Sequence, residues 1–177
     1  MHPRLLTPRI LWGALLASTV LFLVVLFVQP HPPSIATPIL APALGAVAIG
    51  LAIFSFVLPM QQQRTVLQQA KVEITEAPDP NASGVIPYRD APKRRVFADP
   101  KAAENTAFVN YQTSLILGCA LSEAIAIFGF MLGFLGHPPV VFLPFFVASW
   151  VLIGVRFPTL ARVRGPLEKA KGAVFPD

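Results

Sequence analysis

The sequence predicts an all-α integral membrane protein with four transmembrane helices and both termini on the cytoplasmic side. Hydrophobic residues make up 54% of its 177 residues and charged residues 13%, whereas soluble domains carry about 25% charged residues. No charged residue lies between Arg9 and Arg64, and only Glu123 lies between Glu104 and Arg156. Each gap can hold two crossings of about 20 residues. We therefore expect four spans and no separate soluble domain.

The distribution of basic residues predicts the orientation. The 14 Lys and Arg residues fall in three places, namely Arg4 with Arg9, the range 64–101 and the range 156–171. The segments that join the helices within each hairpin contain none, as the positive-inside rule requires of outward loops. This N-in/C-in pattern is typical of a bacterial-type inner (cytoplasmic) membrane. It also explains the net charge of +5 without a nucleic-acid partner, and we expect none.

The first transmembrane hairpin is predicted over residues 1–60, with helices at about 10–28 and 38–59. A cleaved signal peptide is the alternative for the first helix, but its apolar run exceeds the usual 7–15 residues of a signal. Small residues recur along the second helix at spacings of four and three, a pattern that permits close helix contact: Ala41, Gly45, Ala48, Ala52 and Ser55.

Residues 61–107 are predicted to form a cytoplasmic segment, and its first part, from residue 61 to about 77, is expected to continue helix two. The basic run Lys93-Arg94-Arg95 favours contact with anionic lipid headgroups. Asp99 followed by Pro100 is typical of a helix N-cap and first helical position. A helix is therefore expected to begin there and to run into the third span.

The second transmembrane hairpin is predicted over residues 108–177, with helices at about 108–135 and 139–156 and a basic cytoplasmic tail. Small residues mark one face of the third helix: Ser114, Gly118, Ser122, Gly129 and Gly133. We expect Gly118, Ser122 and Gly129 to pack against the small residues of the second helix. The fourth helix contains Pro144, which predicts a kink. The side chain of Arg156 is expected to extend away from the helix bundle, so that its guanidinium reaches the cytoplasmic membrane interface.

Glu123 is the charge around which the prediction is organised, because it falls at the middle of the third span. A charged group there costs about 2.5–3.5 kcal/mol on insertion scales. Counting residues from each boundary places a supporting polar layer at the same depth: Ser18, Thr19, Ser122 and Ser149. No Lys, Arg or His is expected at that depth, so Glu123 lacks a basic partner within the chain. Three interpretations stay open: a carboxyl that hydrogen-bonds helices together, one that carries a proton or cation, or a charge that binds a partner.

Sites for other chemistry are not evident in the sequence. Glu123 has no second acid, histidine or nucleophile–base pair nearby, so we do not expect an enzyme. His31 and His137 lack further ligands for a metal. No phosphate loop is evident, and no cofactor is expected.

The run from Gly118 to Gly129, GCALSEAIAIFG, resembles the carboxylate helix of the F-type ATP synthase c subunit, the proteolipid. Both show a small residue and Leu-x-Glu-Ala. The alternating small residues at Ala46, Ala48, Gly50 and Ala52 are similar to the glycine pattern of that family's first helix. The resemblance covers helices two and three only. It implies that Glu123 is a proton or sodium carrier.

Two functions are therefore predicted as alternatives. The first is a proton- or cation-binding membrane subunit centred on Glu123. The second is a non-transporting structural or assembly subunit of a larger membrane complex. The partners expected are the lipid bilayer and either further copies of the chain or other membrane subunits.

Overall fold

The computed structural model describes residues 3–29, 39–78 and 93–175. The described chain is mostly helical, and after a single 3-10 turn at Pro3–Leu5 it contains five α-helices and two strands. In chain order these are α1 (Leu6–Val28), α2 (Leu40–Gln69), β1 (Ile74–Pro78), β2 (Lys93–Phe97), α3 (Pro100–Phe134), α4 (Pro139–Gly154) and α5 (Leu160–Lys171). His31, which the sequence analysis considered as a metal ligand, lies outside the described residues.

Three of these helices are long and apolar enough to cross a membrane: α1, α2 and α3. α4 is apolar but has 16 residues. Helix α2 includes Pro59 and continues past the predicted span to Gln69. The predicted continuation to about residue 77 was too long, because β1 occupies Ile74–Pro78. Helix α3 begins at Pro100, where the Asp99 carboxylate accepts hydrogen bonds from the backbone N–H groups of Lys101 and Ala102, each at 3.0 Å. The predicted cap is thus confirmed.

A tight turn connects α3 to α4. Gly136 adopts a left-handed conformation with φ of 82°, and the backbone N–H of His137 donates to the carbonyl of Leu132 at 3.1 Å. This glycine-terminated pattern satisfies carbonyls at the end of a helix. Helix α4 then starts at Pro139, where the missing proline N–H costs nothing. The predicted loop at this position is confirmed.

The chain divides into two compact units. Unit 1 consists of residues Met1–Gln61 and Thr113–Pro158, and unit 2 consists of Gln62–Gln112 and Thr159–Asp177. Unit 1 has an apolar core made by α1, α3 and α4: Leu26, Ala126, Leu132, Phe142 and Phe146. Gly129 and Gly133 let α4 and α1 approach α3 closely, because a Cβ at either position would lie within 3.0 Å of Phe145 or Leu26. Many apolar side chains of the unit remain exposed, as lipid-facing helices require.

Unit 2 departs from the all-α prediction because it contains a two-stranded antiparallel sheet. β1 pairs with β2 in a register that aligns Ile74 with Phe97. Val96 and Phe97 at the end of β2 are buried, and the centroid of the Phe97 ring lies 4.7 Å from that of Phe175. The backbone N–H of Val174 donates to the carbonyl of Arg95 at 3.0 Å. The contacts between β2 and residues 174–175 stabilise the sheet. Because these residues are distant in the chain, local composition does not reveal the contacts.

The predicted basic tail contains a helix, α5. Thr159 caps its start by accepting a hydrogen bond from the N–H of Arg162, and Gly172 ends it in a left-handed conformation. Val163 and Leu167 are four residues apart on one buried face. Arg164 forms an ion pair with Glu104 at 2.5 Å. These contacts make unit 2 a compact unit, which the sequence analysis did not predict.

Candidate functional site

The candidate site is a set of polar side chains inside unit 1. Glu123 of α3 contacts Ser18 of α1, whose hydroxyl Oγ lies within hydrogen-bond distance of carboxyl Oε1. Leu26 of α1 meets Gly133 further along α3, so the two helices run in the same direction. Ser18 lies near the middle of α1, which puts the pair well inside the apolar segment. The structure therefore joins two of the predicted residues, Glu123 and Ser18.

Glu123 lies at the boundary between the buried and the exposed surfaces of α3. Cys119 and Ala126, one turn before and about one turn after it, are completely buried. Glu123 itself is half-buried, whereas Ile127 is exposed. Among the described residues Glu123 forms no ion pair, and Ser18 is its single hydrogen-bond partner. The carboxyl therefore bonds a neighbouring helix of the same chain.

A second bond joins α1 to α4. The indole Nε1–H of Trp150 donates to the Thr19 hydroxyl at 2.9 Å, and that hydroxyl donates to the carbonyl of Leu16 at 2.7 Å. Thr19 is completely buried. The predicted Thr19 thus belongs to the polar layer, but its partner is an indole that residue counting did not single out.

Arg156 overturns the prediction that no basic group reaches this region. Its guanidinium turns into the bundle and donates to the hydroxyl of Ser122 at 3.0 Å and to the hydroxyl and carbonyl of Ser55 at 2.8 Å each. It also donates to the carbonyl of Leu152 near the end of α4. The guanidinium lies over the ring of Phe56, 4.3 Å from its centroid. One side chain thereby contacts α2, α3 and α4.

The inward turn of Arg156 has two local causes. Arg156 lies two residues beyond the end of α4, and its own N–H donates to the carbonyl of Ile153 instead of that of Leu152. The carbonyl of Leu152 is then left for the guanidinium, since the last carbonyls of a helix lack backbone partners. In addition, Gly118 provides space, because a Cβ there would lie 2.7 Å from Arg156 Nε. The expectation of an outward-extending arginine was wrong because inward acceptors and space are both available.

Ser55 also belongs to the site, although the sequence predicted it only as part of a packing stripe. It is completely buried and donates to the carbonyl of Ala52 at 2.7 Å. Ser122 similarly donates to the carbonyl of Gly118 at 2.8 Å. Each hydroxyl uses its hydrogen within its own helix and offers its lone pairs to Arg156. Ser55 is the one hydroxyl residue in the small-residue stripe of α2, and this is the sequence signal that could have identified it.

Ser149 is placed in the interior but is not joined to the other members. It is completely buried on α4, and its hydroxyl has no hydrogen-bond partner among the described residues. Ser122 contacts Arg156 and forms no hydrogen bond with Glu123. The predicted layer therefore consists of separate hydrogen-bonded groups.

Among the glycines of the two predicted stripes, Gly118 is the one that approaches the opposite helix in the described residues. Gly118 approaches the carbonyl of Ser55, whose oxygen lies 3.3 Å from the position of a Cβ. Gly129 contacts α4 instead of α2, and Gly133 contacts α1 and α4. A Cβ at Gly45 would meet no atom within 4 Å. The expectation that Gly129 packs against α2 was wrong, because α4 occupies this part of α3.

Within residues 3–29, 39–78 and 93–175, no group of three or more His, Cys, Asp or Glu side chains could hold a metal ion. The arrangement can accept and donate hydrogen bonds between helices, and it can hold a proton on Glu123. Comparisons with protein-family models, curated proteins and solved structures find no match to this chain.

Proposed function

We propose that the protein is a non-transporting structural or assembly subunit of a membrane complex, with a polar network that fixes the arrangement of its helices. The hydrogen bond between Glu123 and Ser18 joins α3 to α1, and the hydrogen bond between Trp150 and Thr19 joins α4 to α1. The observation that carries the proposal is the guanidinium of Arg156, which bonds acceptors on α2, α3 and α4 at once. Together these bonds connect all four helices of unit 1.

Hydrogen counting supports a structural role for Glu123. Ser18 Oγ lies 2.8 Å from the carbonyl of Leu15 and also contacts the carboxyl of Glu123, but a hydroxyl has one hydrogen to donate. The three other bonded hydroxyls of the network donate to carbonyls of their own helices. If Ser18 does the same, the carboxyl supplies the hydrogen of the second bond. A neutral carboxylic acid that donates to Ser18 satisfies every distance without a buried charge.

Substitutions at Glu123 test this proposal in the purified protein in detergent. Glu123→Gln keeps a donor of the same size, so we expect thermal unfolding at the wild-type temperature. Glu123→Leu loses a bond worth about 0.6–2 kcal/mol, and we expect earlier unfolding and weaker assembly. The exposed neighbour Ile127 gives the control, Ile127→Leu. Wild-type stability and assembly of Glu123→Leu would refute the structural role.

A proton- or cation-binding role is the second candidate. It is favoured by the single hydrogen bond of Glu123, which leaves carboxyl Oε2 without a partner among the described residues, and by the resemblance to the proteolipid carboxylate helix. Labelling with dicyclohexylcarbodiimide in membranes discriminates the two roles. A carrier predicts labelling of Glu123 that sodium or high pH suppresses, and Glu123→Gln shows which signal belongs to this residue. An inert carboxyl favours the structural role.

The proposal includes four membrane spans, cytoplasmic termini and a location in a bacterial-type inner membrane, with either copies of the chain or other membrane proteins as partners. The segregation of basic residues supports this orientation. The 16 residues of α4 rise about 24 Å, less than the hydrocarbon thickness of about 30 Å. A fourth crossing therefore requires local thinning of the bilayer or extension of flanking residues to the interface. A cysteine introduced at Ser34 should react with an impermeant reagent from outside only, and reaction from the cytoplasmic side alone would reverse the topology.

A further inference from the structure

Three side chains form an ordered platform where α1 begins and α4 ends. The indole Nε1–H of Trp12 donates to the carbonyl of Ile153 at 2.8 Å. The rings of Trp12 and Phe157 meet edge to face, with centroids 5.2 Å apart. The guanidinium of Arg9 lies over the ring of Phe157, 5.4 Å from its centroid. The position of the guanidinium is therefore set by the ends of two helices.

The charge of Arg9 has no acceptor among the residues that the structure describes. Its Nε–H is buried, and the side chain makes no hydrogen bond or ion pair with any residue in the described ranges. An arginine has five N–H donors, and leaving them unsatisfied near apolar surface costs free energy. Arg9 is half-buried, so part of its side chain stays accessible to a ligand from outside the protein.

The surroundings of Arg9 favour an anion. Arg9 lies in the first turn of α1, and Leu5 at the N-cap provides no side-chain acceptor. The positive end of the helix dipole and the guanidinium therefore add their charges. The planar guanidinium binds the two oxygens of a phosphate side by side, while its face stays on an aromatic ring.

The depth of Arg9 identifies the source of the anion. Arg9 is the last charged residue before an uncharged stretch that extends to Arg64. Trp12 and Phe157 lie beside it, and aromatic residues are enriched at the level of lipid headgroups. We propose that the Arg9–Phe157–Trp12 platform binds the phosphodiester of an anionic phospholipid headgroup. This inference rests on the part of the proposed function that embeds α1 and α4 in a bilayer.

The test measures binding of phosphatidylglycerol to the full chain in phosphatidylcholine nanodiscs, by native mass spectrometry. We expect Arg9→Gln to weaken binding about five- to tenfold, on the scale of one basic residue at a membrane surface. Arg4→Gln removes the same charge five residues away and should change binding less than twofold. Arg9→Lys keeps the charge but cannot bind two oxygens side by side, so it should lose part of the affinity, and it serves if Arg9→Gln does not fold.

Several results would overturn the site. Equal losses from Arg9→Gln and Arg4→Gln would show general attraction to negative charge. Full affinity in Arg9→Lys would refute two-oxygen binding by the guanidinium. If glycerophosphoglycerol, which lacks acyl chains, bound as tightly as the lipid, the site would be assigned to a soluble phosphate ester. A protein that stays in nanodiscs without preferring phosphatidylglycerol refutes this inference alone, whereas failure to enter any bilayer refutes the proposed function as well.

Discussion

The side chain of Arg156 passes directly over Gly118, where a Cβ would lie 2.7 Å from Nε and 3.2 Å from Cδ. The absence of a side chain at residue 118 is what admits the guanidinium to Ser55 and Ser122. In the folded chain the role of Gly118 is to accommodate this arginine.

Gly118→Ala should therefore destabilise unit 1. The added methyl group must displace Arg156 or the carbonyl of Ser55, and overpacking of this kind costs about 1–3 kcal/mol. Thermal unfolding in detergent measures the effect. Gly50→Ala is the matched control, because a Cβ there meets nothing within 4 Å and alanine is the better helix former by about 1 kcal/mol. Equal stability of the two variants would contradict the close contact.

Arg156→Lys should fail to replace the arginine. A single ammonium cannot bond acceptors on three helices, so we expect a loss of at least about 1.5–3 kcal/mol, the value of one hydrogen bond to a charged group. Arg156→Gln should lose a similar amount. The control is Arg64→Lys, because Arg64 is exposed, and this variant should unfold as the wild type does. If Arg156→Lys retained full stability while Arg156→Gln did not, the charge itself would be the important property.

The sequence was sufficient for the long helices because their signal is cumulative: each apolar residue from Leu6 to Val28 adds to the same conclusion. The cap at Asp99 was equally readable, because its partners are two and three residues away. The direction of Arg156 was not, since it depends on Gly118 and Ser55, which are distant in the chain.

The sheet of unit 2 was missed for a related reason. Its strands are short, and their sequences, ITEAP and KRRVF, carry little apolar alternation. What stabilises them is burial of Phe97 against Phe175, almost 80 residues later in the chain. Contacts of that range leave no local pattern.

Glu104→Gln should destabilise unit 2. The Glu104 side chain is 12% exposed and receives two bonds from Arg164, at 2.5 and 3.2 Å. Weakening this partly buried pair leaves the guanidinium without its carboxylate, for which we expect a loss of about 1–3 kcal/mol. The control is Glu76→Gln, since Glu76 and Lys93 are each 65% exposed and 3.7 Å apart. Exposed ion pairs contribute little to stability, so chemical denaturation should show a larger loss for Glu104→Gln than for Glu76→Gln. Similar losses would mean that the burial of the Glu104–Arg164 pair does not increase its contribution.

Trp150 and Thr19 should show an interaction energy in a double-mutant cycle. Trp150→Phe removes the indole donor and keeps an aromatic ring, and Thr19→Val removes the acceptor and keeps the shape. Because Thr19 is completely buried and bonds Trp150 at 2.9 Å, the coupling should reach about 0.6–1.7 kcal/mol, the range for bonds between membrane helices. Thermal unfolding of the wild type, both single variants and the double variant gives the four values. The pair Trp12 and Thr19, which share no hydrogen bond, provides the uncoupled control through Trp12→Phe. Additive losses for Trp150→Phe and Thr19→Val would mean that this bond does not hold α1 against α4, and the network would then depend on Arg156 and Glu123 alone.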